Sequence, residues 1–160
     1  MSKPKAKQEI VATREGPLFS VRFVISLLLI AAGIVYVVLW TLYVRDLRTF
    51  EQTLPPPKGG KPSFLIPGAE KLDDWNWIIG FGLIFLGLTL AAHKSTPLGR
   101  GRGVVIGMLG CFLIGLLWIV IYYVTGQDLT LPLFTDLGQY NLMVGIGFMA
   151  VGFVYATHWE

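Results

Sequence analysis

The sequence predicts an all-α integral membrane protein whose four transmembrane helices form two tandem helical hairpins. Three observations carry that expectation. Hydrophobic residues make up 54% of the 160-residue chain, and the mean hydropathy is +0.63. Charged residues make up only 14%, where soluble chains carry about a quarter, and they gather in residues 1–22, 45–74 and 94–102. A soluble domain spreads its charge over amphipathic helices to cover its surface; segregation of this kind fits a chain solvated partly by lipid. Finally, four windows meet the requirement of roughly 20 apolar residues needed to cross a bilayer. None alternates like a barrel strand, which leaves helices as the way to satisfy backbone groups in hydrocarbon.

The first element is a basic tail, residues 1–18, whose Lys3, Lys5 and Lys7 suit anionic headgroups or solvent. A first hairpin, 19–93, follows, with spans at about 19–44 and 75–92 around a Pro-rich outer loop, 45–74. Arg22 stands near the start of its first span, where it can snorkel to the interface. That span follows basic residues as a signal peptide would. It outlasts an h-region, however, and Val44-Arg45-Asp46 offers no small-residue cleavage site, so it reads as retained. Residues 94–103 form a linker, and the second hairpin, 104–160, has spans at about 104–124 and 140–157.

Orientation follows from the bases. The tail carries Arg14 and Arg22 besides its lysines, and the linker carries Lys94, Arg100 and Arg102. The connection between the last two spans holds only Asp128 and Asp136. The positive-inside rule then places both termini and the linker in the cytoplasm. Loop 45–74 balances five bases with five acids and is placed outside by parity. Its Leu54-Pro55-Pro56-Pro57 and Lys58-Gly59-Gly60-Lys61-Pro62 read as an irregular, exposed spacer.

An internal repeat organises the spans. Trp75, Asn76, Gly80, Gly82, Gly87 and His93 align with Tyr140, Asn141, Gly145, Gly147, Gly152 and His158 at one offset of 65 residues. Gly33-Ile34-Val35-Tyr36 aligns more weakly with Gly115-Leu116-Leu117-Trp118 at an offset of 82. Each copy holds two spans, so the repeat is parallel rather than inverted. Glycine is common in membrane spans, but its recurrence at matched positions favours close helix packing. Gly80, Gly87, Gly107, Gly110, Gly115, Gly145 and Gly152 are therefore the expected helix-packing or partner-binding residues, and they leave room for a homo-oligomer. Gly103 shares the face of Gly107 and Gly110. Trp75, Asn76, Trp118, Tyr140, Asn141 and Trp159 are expected as interfacial anchors, with each asparagine capping the first turn of its helix.

No chemistry stands out. Arg22, His93 and His158 all lie near the cytoplasmic boundary, and no carboxylate stands at mid-depth to serve a proton pathway. Haem ligation calls for histidines facing each other within spans. Gly99-Arg100-Gly101-Arg102-Gly103 lacks the Gly-Lys-Ser/Thr ending of a phosphate loop and reads as a flexible basic turn. Asp73 and Asp74 suit the dipole of the helix they precede. Cys111 is the single cysteine, read as a small buried hydrophobe. The expectation is no catalytic residue, no cofactor and no metal. A net charge of +3 with no long basic block gives no reason to expect nucleic acid.

The C-terminal half resembles a known family. Phe112-Leu113-Ile114-Gly115-Leu116-Leu117-Trp118-Ile119-Val120, then Leu137-Gly138-Gln139-Tyr140-Asn141, then Gly145, Gly147, Phe148 and Gly152, and the ending His158-Trp159-Glu160 are similar to the actinobacterial cell division protein CrgA family. Residues 104–160 carry the resemblance well and 19–93 more loosely, so the chain looks like a tandem duplication of a two-span unit. The resemblance implies a non-enzymatic adaptor at division septa. Such an adaptor contacts FtsZ, other divisome proteins and septal peptidoglycan synthases, and modulates assembly of the FtsZ ring. The sequence departs from the family pattern in being doubled and in carrying the Pro-rich loop. The residues alone leave open an accessory subunit of another membrane complex, such as a respiratory assembly, or a small carrier or channel.

Overall fold

In the computed structural model, which describes residues 20–55, 59–125 and 132–158, all regular structure is helical. Helix α1 spans Val21–Gln52, α2 Trp75–Ala91, α3 Arg102–Thr125, α4 Pro132–Leu137 and α5 Tyr140–Ala156, with 3-10 turns at Ala69–Leu72 and Pro97–Gly99. The tail 1–18, Trp159 and residues 56–58 of the Pro-rich run lie outside the described residues.

Ser20 caps α1, its Oγ accepting the Phe23 N–H at 3.2 Å. The helix runs past residue 44, through Arg45, Asp46 and Arg48, to Gln52. Hydropathy marks where the chain turns polar, whereas Arg, Leu, Glu and Gln favour helix continuation wherever they stand. The helix stops ahead of Pro55, as the residue before a proline is pushed toward extended geometry.

Helix α1 packs on α2 and α3 packs on α5, and the two pairs meet along α2 and α5, giving the spatial order α1, α2, α5, α3. The outer members α1 and α3 are long and apolar enough to cross a membrane. Their most apolar windows are only 22% and 17% buried, unlike the core helix of a soluble protein. The inner members α2 and α5 are shorter, at 17 residues each.

Two connections depart from expectation. Loop 45–74, expected as an exposed spacer, sends Phe64 and Ala69 into the core. The Phe64 ring sits 6.0 Å from Tyr36, 5.2 Å from Trp40 and 5.5 Å from Tyr43, and its N–H donates to Glu70 Oε1 at 2.6 Å. The aromatic end of α1 offers an apolar socket, and filling it with a phenylalanine contributes about 2 kcal/mol. The linker, expected as a flexible turn, is folded on itself. Thr96 is fully buried; its hydroxyl reaches the carbonyls of Ala91 and His93 and accepts the Gly99 N–H at 3.0 Å. Gly99 lies against the His93 carbonyl and Gly103 against Pro97, leaving no space for a side chain at either.

The hairpins are also tied at their loop end. Arg48 Nη2 of α1 lies 2.6 Å from Asp136 Oδ1 of α4, and the Asp136 side chain is 1% exposed against 47% for Arg48. Opposite charge holds the pair. Arg48→Ala strands a buried carboxylate and should cost about 1–2 kcal/mol, the exposed partner being screened. Thermal unfolding in detergent measures this, and Arg48→Ala with Asp136→Ala should recover most of the loss. Equal melting of wild type and the single variant would remove the tie.

Candidate functional site

Close backbone approach defines each hairpin. A Cβ placed on Gly33 would lie 2.8 Å from the Gly80 carbonyl and 2.7 Å from Ile84. A Cβ on Gly115 would lie 2.6 Å from the Gly145 carbonyl and 2.9 Å from Met149. Gly80 meets Val37, Gly145 meets Ile119, Gly87 meets Ile30 and Gly152 meets Phe112. The offsets of 82 and 65 residues that align the sequences convert each of these contacts of the first hairpin into one of the second. Gly107 lies under the Tyr155 ring, while Gly110 has nothing within 4 Å. Three residues on from Gly107, Gly110 has turned away from the α5 side of α3, where Cys111 and Gly115 are buried. Gly147 packs on Phe85, across the boundary between hairpins.

The same offset governs the asparagines. Asn76 and Asn141 are fully buried. Asn76 Nδ2 donates to the carbonyls of Ala69 and Asp73, both at 2.9 Å, and Asn141 Nδ2 to those of Phe134 and Gly138, both at 2.8 Å. Neither caps its helix in the expected sense, because a cap accepts N–H groups of the first turn. Each instead reaches back and fastens the turn that precedes the helix. That turn holds a positive φ in both hairpins, 39° at Asp73 and 48° at Gly138.

The hairpins differ at the tyrosine. Tyr36 Oη donates to Asn76 Oδ1 at 2.6 Å. Trp118 occupies the corresponding place in α3, and neither its Nε1 nor Asn141 Oδ1 has a hydrogen-bond partner among the described residues. Trp118, expected as an interfacial anchor, packs between the hairpins, its ring centroid 4.7 Å from that of Phe134 and 6.1 Å from that of Phe81. Its neighbours are aromatic rings on three other helices, which draw it inward. Trp75 is 64% exposed, and Tyr140 is half-buried with its hydroxyl 3.5 Å from Asp74. Phe85 and Phe148 meet edge to face at 5.1 Å, continuing the aromatic contact between hairpins.

Among the described residues no group of three metal-ligating side chains converges. Cys111 is buried and free. The Arg22 guanidinium donates to the His93 ring, 2.7 Å from Nε2, and His158 Nδ1 donates to the Val154 carbonyl at 2.8 Å. Between α1 and α3 an apolar groove of about 390 Å³ is floored by Phe81 and Phe148 and walled by Ile34, Val38 and Ile114. The arrangement offers surfaces and fastened turns. Phe64 and the Arg48–Asp136 pair carried no motif, since each acts through a partner distant in sequence, and Thr96 carried none although its partners Ala91, His93 and Gly99 are local. Gly33 did carry a signal, its alignment with Gly115.

Residues 92–160 match the family model described as Cell division protein CrgA, the segment that folds into the Pro97–Gly99 turn, α3, α4 and α5. The Cell division protein CrgA of Streptomyces avermitilis is 48% identical over 66 residues, covering 41% of this chain and 75% of that protein. That of Corynebacterium aurimucosum is 36% identical over 75 residues, covering 44% and 80%. That of Corynebacterium glutamicum is 33% identical over 53 residues, covering 33% and 57%. No solved structure matches. Because the alignment takes in three quarters of a relative at nearly half identity, the chain belongs to the CrgA family of cell division proteins.

Proposed function

We propose that this cell division protein is a non-enzymatic, four-pass membrane adaptor built as a tandem duplication of the two-helix unit. It acts at septa by binding divisome proteins, FtsZ and septal peptidoglycan synthases among them. The observation that carries the reading is the family match over 92–160, which falls on one complete hairpin. The matched contacts at Gly33 and Gly115 support a duplicated origin for the first hairpin.

Four spans rest on geometry and exposure. Helices α1 and α3 leave Leu28, Val35, Ile106 and Leu113 about half exposed or more, a surface suited to lipid. Helices of 17 residues reach the lower limit for crossing, about 17–25 residues, and α2 and α5 are packed antiparallel to those longer partners. Both termini and the linker lie in the cytoplasm on this reading, and the hairpins serve as 19–93 and 104–160 joined by 94–103. The seam glycines Gly80, Gly87, Gly107, Gly115, Gly145 and Gly152 hold helices together within the chain. Gly110 and the apolar faces of α1 and α3 remain for partners or a second copy.

A fluorescent fusion in dividing Corynebacterium cells should concentrate at septa; even membrane distribution through the whole division cycle would overturn the septal role. For topology, cysteines placed in a Cys111→Ser background give opposite outcomes. Ser63→Cys and Gln139→Cys should react with an impermeant maleimide in intact cells, whereas Lys94→Cys and Thr157→Cys should react only after permeabilisation. The reverse pattern inverts the protein, and labelling of all four removes the membrane reading. Gly33→Val or Gly115→Val should destabilise the detergent-solubilised protein by about 1–3 kcal/mol through overpacking, whereas Gly110→Val should change it by less than about 0.5 kcal/mol.

A further inference from the structure

Four basic side chains converge where the two hairpins are joined. A cavity of about 520 Å³ is lined by Lys94 beyond α2, by Arg100 and Gly101 of the linker, by Arg102 and Val105 of α3, and by His158 beyond α5. None of the described lining residues is acidic. The walls are fixed by tight backbone contacts. Gly99 and Gly103 are pressed against His93 and Pro97, and the buried Thr96 hydroxyl ties the linker to the end of α2. His158 is oriented by its Nδ1 bond to the Val154 carbonyl at 2.8 Å, which leaves Nε2 as the other polar ring atom. Lys94 and Arg100 also make contacts within the chain. Gly101, with φ 53° and nothing within 4 Å of its Cα substituent position, keeps the rim open. Arg102 is the first residue of the 24-residue α3, so the positive end of the helix dipole adds to the side-chain charge.

We propose that this cavity binds the phosphate group of an anionic lipid. Phosphate is the chemistry that several convergent arginine and lysine groups favour, because guanidinium and ammonium donors match its oxygens. Basic pockets beside membrane helices suit lipid headgroups in the same way. A free phosphate offers the same group without a tail. The surface leading from the cavity favours the lipid source. Val105 on its wall is followed along α3 by Leu109, 58% exposed, and Arg102 by Ile106, 65% exposed. A bound headgroup would therefore lay its acyl chains on an open apolar face one helical turn away.

The proposal rests on the membrane reading, and its test is arranged to fail separately. The full chain, purified in neutral detergent, is titrated with fluorescent phosphatidylglycerol and phosphatidylcholine. Phosphatidylglycerol should bind about tenfold more tightly than phosphatidylcholine. Arg100→Gln with Arg102→Gln should erase the preference, and Arg100→Lys with Arg102→Lys should keep most of it. Val105→Trp, which fills the cavity with every charge in place, should erase it too; unchanged helical circular dichroism shows that each variant is folded. Loss of the preference on neutralising Lys3, Lys5 and Lys7, with the cavity variants unaffected, overturns the site, as does equal binding of the two lipids by wild type. Competition by millimolar inorganic phosphate supports the cavity with a soluble phosphate as its ligand, and absence of competition supports the lipid. A chain that stays monodisperse without detergent fails the membrane reading instead, whatever the lipid titration gives.

Discussion

Where Gly33 faces the Gly80 carbonyl and Gly115 faces the Gly145 carbonyl, two helix backbones come close enough that a single methyl group has no room. Each glycine weakens its own helix by about 1 kcal/mol relative to alanine. That loss is tolerable only if the helices gain from contact at this distance, through dispersion and backbone C–H to carbonyl approach. In lipid no hydrophobic incentive drives helices together, so such contacts largely decide which faces meet. The position of everything else follows. Ile84 and Met149 sit beside these crossings, and the buried faces of α2 and α5 are set by them.

The asparagines extend this constraint beyond the helices. By donating to two carbonyls each, Asn76 and Asn141 fix the direction from which the chain enters α2 and α5. A buried amide without such partners would cost a large part of the hairpin's stability. In the first hairpin Tyr36 completes the arrangement and Phe64 closes over the aromatic end of α1. In the second, Trp118 turns toward Phe81 and Phe148 instead, exchanging a local hydrogen bond for packing between hairpins. Hairpins with matching glycine contacts thus differ beyond them: the first holds Phe64 of its own connection, and the second packs Trp118 against its neighbour.

Contact between the hairpins is lighter than contact within them. It is made of aromatic rings along α2 and α5, the Arg48–Asp136 pair at the loop end, and the folded linker at the other. This leaves the outer helices α1 and α3 with broad apolar faces and a groove between them. The hairpin that carries the family match, residues 92–160, is set beside a second of similar build.

Apolar runs and charge segregation marked α2, α3 and α5 from the sequence alone, nearly to their ends, and the start of α1, whose end at Gln52 lies well past residue 44. Helix formation in an apolar segment depends on local composition, and hydropathy does not mark where a polar continuation stops. The aligned Asn76 and Asn141 and the glycines at matched positions were also legible, since a repeat preserves spacing whatever the partners. Their actual contacts were not. Which residue Gly80 meets, or that Gly110 meets none, depends on how two helices cross. That the asparagines reach backward rather than cap depends on a turn of positive φ whose geometry composition does not encode. The burial of Phe64, the folding of the linker, the inward turn of Trp118 and the convergence of Lys94, Arg100, Arg102 and His158 around one cavity were decided only by tertiary structure. Apart from the linker, whose contacts are local, each depends on residues far apart in the chain, and their meeting is a property of packing rather than of pattern.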